Sequence, residues 1–380
     1  MAYKIKIVHS TQALQNLKSD WRQLVKKSNI RSPFLTYEWI STWWAFYARQ
    51  LSKPELAIIT LQDDDALLAI LPLFSHRKKL TGTSDFKIVQ FMGTEFESSD
   101  YLDLIAVQDK REQYLHEILA SADVLNLLKT ADVVDFPNLT DAAFLLAGRK
   151  AFEQALGCKS YTYRIKTCPY VPLPDNFEAF YQGLSRNFRS NLKRTQNKFK
   201  KYGFTTHLIN DEQEIDEAVR RLFELHQMRF SAKQTQTKFV FEQRGAFHQQ
   251  IAKTFLRNDW LQLYQIKDQD KVVGSLYCFK FAGSMMYMQG GFDPAYQKFA
   301  LGNLIILRAI RDAIEMGFRE FDFMRGNEAY KARWATNVRY LNTLTYPVSR
   351  KGRLYYFFQD MLYQTKQSVK SVIKKDRVNK

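Results

Sequence analysis

The chain repeats itself, and a repeat of this size constrains its architecture more than any single motif. Leu56-Ala-Ile-Ile-Thr-Leu-Gln-Asp-Asp-Asp-Ala-Leu-Leu-Ala69 aligns without gaps to Leu261-Gln-Leu-Tyr-Gln-Ile-Lys-Asp-Gln-Asp-Lys-Val-Val-Gly274. Each segment reads as strand, acidic turn, strand, because turn residues separate two apolar runs. A region of helical character, rich in aromatic or long apolar residues, precedes each hairpin. It runs from Trp21 to Tyr47 in the first copy, with a break at Pro33. In the second it runs from Glu212 to Phe230 and from Phe241 to Phe255. Another strand follows each hairpin, Phe86 to Met92 and Ser284 to Gln289. A helix and a strand come next: Arg111 to Ala122 with Val133 to Phe136, and Asn303 to Met316 with Phe318 to Phe323. Few identities connect the copies, so the shared order of elements carries the argument. It predicts two copies of one α/β module, offset by about 205 residues.

The length agrees. A chain of 380 residues suits two domains of roughly 190 residues each. The expected organisation is a first module over 1–165, a second over 166–349, and a basic amphipathic tail over 350–380. Tyr170-Val-Pro-Leu-Pro174 reads as extended chain, and Asp175 or Asn176 is placed to cap a helix over Phe177 to Gly183. A basic linker helix then covers 185–203. There Leu184, Phe188, Leu192 and Phe199 fall on one helical face and Gly203 is a natural stop.

The formal charge of +17 is local rather than spread. Residues 185–203 hold seven Lys/Arg and no acid, and residues 350–380 hold nine Lys/Arg against two acids. Such segments seek an anionic partner: phosphate, acidic glycan, membrane surface or nucleic acid. Hydrophobic content of 46% places the chain among globular proteins. No apolar run reaches the roughly 18 residues of a membrane span; Leu304-Ile-Ile-Leu307 stops at Arg308. The start, Met-Ala-Tyr-Lys-Ile-Lys-Ile, lacks the apolar block and cleavage site of a secretory signal, so a cytoplasmic protein is expected, at most peripheral to the inner membrane face. Cys158, Cys168 and Cys278 are an odd number without metal spacing, which argues against a disulfide framework and a zinc site. None of the six histidines stands at a metal-binding spacing and no Gly-x-Ser-x-Gly occurs, so metal catalysis and serine hydrolysis find no support.

The strongest pointer to chemistry is Gln297-Lys298-Phe299-Ala300-Leu301-Gly302-Asn303. It lies between a strand with the bend Gly290-Gly291-Phe292-Asp293-Pro294 and the helix from about Asn303. Strand, small-residue loop and helix N-terminus together aim backbone N–H groups and the positive helix end at an anion. The matching stretch of the first copy, Gly93-Thr-Glu-Phe-Glu-Ser-Ser-Asp100-Tyr101, is acidic and lacks the small residues. The two copies are therefore expected to divide labour.

Several segments resemble the double-domain GNAT-type acyltransferases. In the second half these are Gly291-Phe-Asp-Pro through Gly302, Asp322-Phe-Met-Arg-Gly326 and Tyr330-Lys331-Ala-Arg-Trp334. In the first half they are Pro33-Phe34-Leu-Thr-Tyr-Glu-Trp39, Ile70-Leu-Pro-Leu73 and Ser99-Asp-Tyr-Leu-Asp103, and between them lies Asn187-Phe-Arg-Ser-Asn-Leu-Lys-Arg194. The resemblance spans most of residues 15–346. That group includes acetyltransferase-like proteins linked to bacterial cellulose and exopolysaccharide synthesis, and it is related in fold to the Fem peptidyltransferases. The resemblance implies an α/β (α+β) fold of two tandem GNAT-like modules, each a mixed, mostly antiparallel sheet flanked by helices.

It also implies a site. The family's pyrophosphate loop, Gln/Arg-x-x-Gly-x-Gly/Ala, is matched by Gln297, Ala300 and Gly302, so acyl-CoA (acetyl-CoA) is the expected co-substrate and no metal is. Ala300 replaces the usual glycine, and its methyl group requires φ to stay negative. Met288, Gly290, Gln297, Lys298, Phe299, Ala300, Leu301, Gly302, Asn303 and Lys331 are the implied cofactor residues, with Lys331 otherwise a surface lysine. In such enzymes the strand before the loop splays from its neighbour, and an N–H between Met288 and Gly291 would polarise the thioester carbonyl. Glu328, Asp322 and Asp293 are candidate bases and Tyr330 a candidate acid toward sulfur. Asp322 equally suits a turn cap, Glu328 a solvated loop and Tyr330 a packing role, while Arg325 could orient the loop by bonding a carboxylate.

The acceptor side rests on Asp100, Tyr101, Arg189 and Asp293. Arg186, Arg189, Lys193 and Arg194 face an anionic substrate or the cofactor's phosphates, or else solvent along a basic linker helix. The resemblance implies, as acceptor, an amine on an envelope precursor or amino sugar. The alternatives are a Fem-like aminoacyl transferase using charged tRNA, which the basic segments suit, and a non-catalytic partner of a polysaccharide synthase. Trp39, Trp43, Trp44, Phe46 and Tyr47 read as core at helical spacing. The tail from Leu354 to Tyr363, followed by Lys366, Lys370, Lys374 and Lys375, either packs on the body or touches an anionic membrane.

Overall fold

A computed structural model describes residues 3–64, 66–81, 84–230, 238–361 and 363. The described chain divides into two compact units. The first takes residues within 1–30, 34–165 and 341–380, the second 31–33 and 166–340. Residues 341–349, read from sequence as the end of the second module, thus fall in the first unit.

The chain begins with β1 (Lys4–Val8), α1 (Thr11–Asn16), α2 (Lys18–Lys27) and α3 (Tyr37–Tyr47). The strands β2 (Ser52–Asp63), β3 (Ala66–Thr81), β4 (Ser84–Phe91) and β5 (Ile105–Ala106) follow. Next come α4 (Arg111–Ala120), α5 (Ala122–Lys129), β6 (Val133–Thr140), α6 (Phe144–Ala147), α7 (Arg149–Leu156) and β7 (Tyr161–Pro172). The second unit continues with α8 (Phe177–Gly183), α9 (Arg186–Lys201), β8 (Thr205–Leu208), α10 (Glu212–Phe230) and α11 (Lys238–Arg257). It is completed by β9 (Leu261–Asp268), β10 (Lys271–Phe281), β11 (Ser284–Phe292), α12 (Leu301–Glu315) and β12 (Glu320–Asp322). After β13 (Asn337–Pro347) the chain forms the helix α13 over 350–361.

The two repeated hairpins are real. β2 and β3 pair antiparallel out to Asp63↔Ala66, and β9 and β10 out to Asp268↔Lys271. Both units then add a third antiparallel strand, β4 or β11. Each next forms a parallel pair of three registered residues, which needs a helical crossover. These are Ile88↔Val133 to Gln90↔Asp135 in the first unit and Ser284↔Glu320 to Met286↔Asp322 in the second. In the first unit β6 is flanked by β13 from Leu341 onward; in the second β12 is flanked by β7 up to Pro172. The fold is α/β, a mixed and mostly antiparallel sheet flanked by helices.

The same register position holds an aspartate in each unit, half-buried Asp135 and fully buried Asp322. Asp135 accepts a hydrogen bond from Thr345 Oγ1 at 2.5 Å, and burial pushes its carboxyl up to about 6. Asp322, its counterpart, has a cation as partner, described below.

The aromatic cluster of α3 is mostly core. Trp39, Trp43 and Tyr47 are buried, and Thr36 Oγ1 caps the helix by accepting from Trp39 N. Their polar tips hold the acidic loop of the first unit in place. Trp43 Nε1 donates to Glu95 O (2.9 Å), Trp39 Nε1 to Ser99 Oγ (2.8 Å) and Tyr47 Oη to Glu97 Oε1 (2.7 Å). This loop is a structural connection, with Glu95 also paired to Lys78 at 2.7 Å.

Candidate active site

The site in the second unit follows from where strand pairing stops. The β11–β12 ladder ends at Met286↔Asp322. Beyond that point the chain after β12 stays beside β7: Phe323 N donates to Pro169 O and Gly326 N to Thr167 O, both at 2.9 Å. β11 instead continues along β10 as far as Phe292↔Gly274. The strands therefore splay. A register shift puts Tyr277 opposite Gln289 and Cys278 opposite Tyr287, which leaves Met288 as the extra residue of a β-bulge. A bulge beside a splay turns backbone groups out of the ladder, toward whatever occupies the gap.

A cleft of about 400 Å³ occupies this region. Tyr287, Phe292, Asp293 and Pro294 line it from β11 and the following bend. Tyr296, Gln297, Ala300, Leu301, Gly302, Asn303 and Ile306 line it from the turn and α12, and Tyr330 from the loop after β12. The segment Pro294–Phe299 is a 3₁₀ helix rather than an open loop, and Asp293 caps it by accepting from Ala295 N at 3.0 Å. Ala300 N then donates to Gln297 O and Asn303 N to Ala300 O. Leu301 and Gly302 stand in the first turn of α12, where helix N–H groups have no intrahelical partner, and both residues line the cleft.

Phe292 explains two glycines. Its ring lies against both Gly274 and Gly302, where an added Cβ would come within 2.9 and 3.2 Å of ring carbons. In the first copy the residue aligned with Gly274 is Ala69. Small residues at 274 and 302 let the ring lie flat under the N-terminus of α12.

Ala300 departs from expectation. It sits at φ 49°, ψ 39°, in the left-handed region, not at negative φ. The reversal is needed to end the 3₁₀ turn and start α12 within one residue. For a residue with a Cβ this conformation costs about 1 kcal/mol. Ala300→Gly is expected to raise stability by about 0.5–1 kcal/mol, read as a higher midpoint in urea; a lower midpoint would contradict the strain.

The cleft brings together Gln297, Ala300, Leu301, Gly302, Asn303, Asp293 and Tyr330 of the residues expected from sequence. Met288, Gly290, Lys298, Phe299, Lys331, Glu328 and Asp322 do not line it. Met288 is half-buried in the bulge and Gly290 is buried against the Tyr287 hydroxyl. Phe299 is buried among Tyr202, Phe204 and Tyr296. Lys298 is exposed, with Nζ 5.1 Å from the Phe299 ring centroid.

Lys331 is not a surface lysine. It is only 3% exposed, and its ammonium lies 3.0 Å from Glu328 Oε2 and donates to Arg325 O at 2.8 Å. It closes the loop after β12 from inside, and Glu328 is its exposed partner. Asp322 takes the turn-cap role of the two open to it. Oδ1 accepts from Met324 N at 2.7 Å, and Oδ2 pairs with Arg339 Nη1 at 2.8 Å. Arg339 also pairs with Glu320 and stacks over Tyr170, 3.8 Å from its centroid.

Asp293 Oδ2 lies 2.8 Å from Lys271 Nζ. That hydrogen bond holds the Asp293 carboxyl below its ordinary value. Tyr296 Oη donates to Asp268 at 2.7 Å, which raises the phenol. Tyr330 faces Tyr287, ring centroids 6.4 Å apart and planes inclined at 63°.

Arg189 belongs to a helix end. Nη1 donates to Leu184 O at 2.6 Å and to Gln182 O, and so completes the C-terminus of α8. Asp100 is buried in the first unit, and Tyr101 there has φ 61°. Tyr287, Phe292, Pro294, Tyr296 and Ile306 were not singled out from sequence. The motif Gly291-Phe-Asp-Pro contained two of them.

The acetyltransferase (GNAT) domain family matches residues 186–332. Among solved structures the chain is similar to FemX, with TM-score 0.60, 12% identity, and coverage of 94% of this chain and 99% of that one. It is also similar to a conserved protein of unknown function from Bacteroides thetaiotaomicron, with TM-score 0.53, 11% identity and coverage of 90% and 100%. A third is the C-terminal domain of a lysylphosphatidylglycerol synthetase candidate from Agrobacterium fabrum, with TM-score 0.52, 10% identity and coverage of 93% and 98%. At these identities the likeness is one of fold. No curated protein matches the chain in sequence. The segment that matches this family, 186–332, holds the splayed strands, the cleft and α12.

Proposed function

We propose that the second unit transfers an acyl group from acyl-CoA to an amine acceptor. The observation that carries this reading is the joining of the splay after Met286↔Asp322 to a cleft walled by the first turn of α12. The residues present fit a diphosphate. Leu301 and Gly302 offer N–H groups at a positive helix end, and Gly302 has no Cβ to fill the cradle. Acyl-CoA would supply an acyl group already activated as a thioester.

The chain's own residues have distinct tasks in this reading. Gln297 and the α12 N-terminus bind the diphosphate. The bulge at Met288 presents backbone N–H to a carbonyl oxygen as it gains charge. Tyr330 Oη holds a proton for a leaving sulfur. Asp293, kept ionised by Lys271, accepts a hydrogen bond from the neutral acceptor amine, and the proton the amine loses on forming the amide replaces the one Tyr330 gives to sulfur. Lys331 and Asp322 set the loop that carries Tyr330. The envelope or exopolysaccharide amine remains the proposed acceptor on the strength of the family resemblance.

Calorimetric titration with acetyl-CoA, followed by thiol release across an amine panel, tests the reading. Saturable binding and amine-dependent release are expected; absence of binding would overturn it. Tyr330→Phe should lower kcat by about a hundredfold with little change in the KM for acetyl-CoA. An unchanged kcat would remove Tyr330 from the chemistry. A second reading, aminoacyl transfer from charged tRNA, is favoured by the basic face of α9, where Arg186, Arg194, Lys198 and Lys201 are exposed. Tight binding of aminoacyl-tRNA without acetyl-CoA binding would select it.

A further inference from the structure

The C-terminal helix α13 has two opposite faces. One is docked on the first unit. Tyr355 packs 5.5 Å from Phe86 and Tyr356 6.1 Å from Tyr161, centroid to centroid. Lys351 Nζ lies 2.7 Å from the Asp132 carboxylate. Gly352 rests on Asp132 O, which would be 2.4 Å from an added Cβ.

The other face is apolar and open. Leu354, Phe357, Phe358 and Met361 are 60%, 54%, 55% and 53% exposed. Their spacing of three, four and seven residues puts them in one stripe, about 10 Å long at the helical rise. Four of the ten large apolar side chains most exposed among the described residues lie on this single stripe. Scattered exposed apolar residues are ordinary; a contiguous stripe marks an interaction surface.

The surrounding sequence identifies the partner's chemistry. Residues 350–380 carry nine Lys/Arg against Asp360 and Asp376; six of the nine, Lys366, Lys370, Lys374, Lys375, Arg377 and Lys380, lie outside the described residues. A polyanion such as RNA would satisfy the cations but leave two phenylalanines and a leucine facing water. A neutral protein groove would cover the apolar stripe but not use the charge. An anionic bilayer surface uses both, with apolar side chains at the acyl boundary and cations at the headgroups. No helix among the described residues is long and apolar enough to cross a membrane, so contact is at the surface.

We infer that α13 docks the protein on anionic lipid bilayers through Leu354, Phe357 and Phe358. The inference is independent of the acyl donor.

The test uses the full chain and vesicles of phosphatidylcholine with or without phosphatidylglycerol, read by co-sedimentation. Binding to phosphatidylglycerol vesicles, absent on pure phosphatidylcholine and weakened by salt, is expected. The double substitution Phe357→Ser and Phe358→Ser should weaken it by about a hundredfold, roughly tenfold for each ring. Its thermal midpoint and acetyl-CoA titration should match the parent, because both rings face solvent. A second variant, Lys370→Glu with Lys374→Glu, should also bind less. Three outcomes would overturn the inference: no binding to anionic vesicles, undiminished binding by the double serine variant, or a dimer that this variant turns into a monomer without any vesicle binding.

Discussion

Gly302→Trp is expected to abolish acetyl-CoA binding while leaving the second unit folded. Gly302 stands in the first turn of α12 and lines the cleft. Even a Cβ there approaches the Phe292 ring to 3.2 Å, so an indole has no place except the cleft itself. It would fill the space in front of the Leu301 and Gly302 N–H groups, where a diphosphate would sit. Removing these contacts and the cradle should weaken binding by about a hundredfold or more, roughly 3 kcal/mol. Calorimetry checks the affinity, and the thermal midpoint checks folding. A variant that binds like the parent would mean that the donor lies elsewhere.

Asp322→Ala is expected to unfold more easily by about 3 kcal/mol. The carboxylate is fully buried, caps the turn at Met324 and neutralises Arg339. Removing it leaves a partly buried guanidinium with Glu320 as its remaining carboxylate, and leaves the Met324 N–H unpaired. The measurement is the denaturation midpoint with its slope, alongside kcat/KM. A base would behave differently: its removal would depress turnover and leave the midpoint in place. Loss of activity at unchanged stability would therefore return Asp322 to the chemistry. The contrast with Asp135 is instructive. That residue has the same register position in the first unit but a hydroxyl partner, and its carboxyl rises to about 6. A desolvated acid whose direct partner is a hydroxyl rather than a guanidinium keeps its proton to higher pH.

Much of the fold was legible because it depends on near neighbours in sequence. The two hairpins show themselves as apolar runs around acidic turns, and they pair as read. Asn176 caps α8 by accepting from Ala179 N, a signal three residues long. Phe188 and Leu192 of α9 are buried as their helical spacing requires. Boundaries were less exact. α12 begins at Leu301 rather than Asn303, because Ala300 takes positive φ despite its Cβ.

The site was legible only on one side. Small residues before a helix marked Gln297 to Asn303 as a candidate anion site, and Gln297 and Ala300 to Asn303 line the cleft. Lys331 could not be placed from sequence. A lysine is buried only where carbonyls and a carboxylate converge on its ammonium, and those belong to Met324, Arg325 and Glu328 in a folded loop. Arg189 looked available to an anion until α8 ended beside it.

The sequence by itself determined the repeated hairpins, the helix faces and the small-residue turn before α12, since periodicity and turn chemistry act over a few residues. Only the tertiary structure decided that β11 and β12 part after Met286 and Asp322, and that Tyr287 and Tyr330 face each other across the gap. It also decided that Leu341 pairs with Thr140, some two hundred residues away. Such pairings form when a whole sheet satisfies its backbone hydrogen bonds at once, and no local pattern encodes which distant strand will supply them.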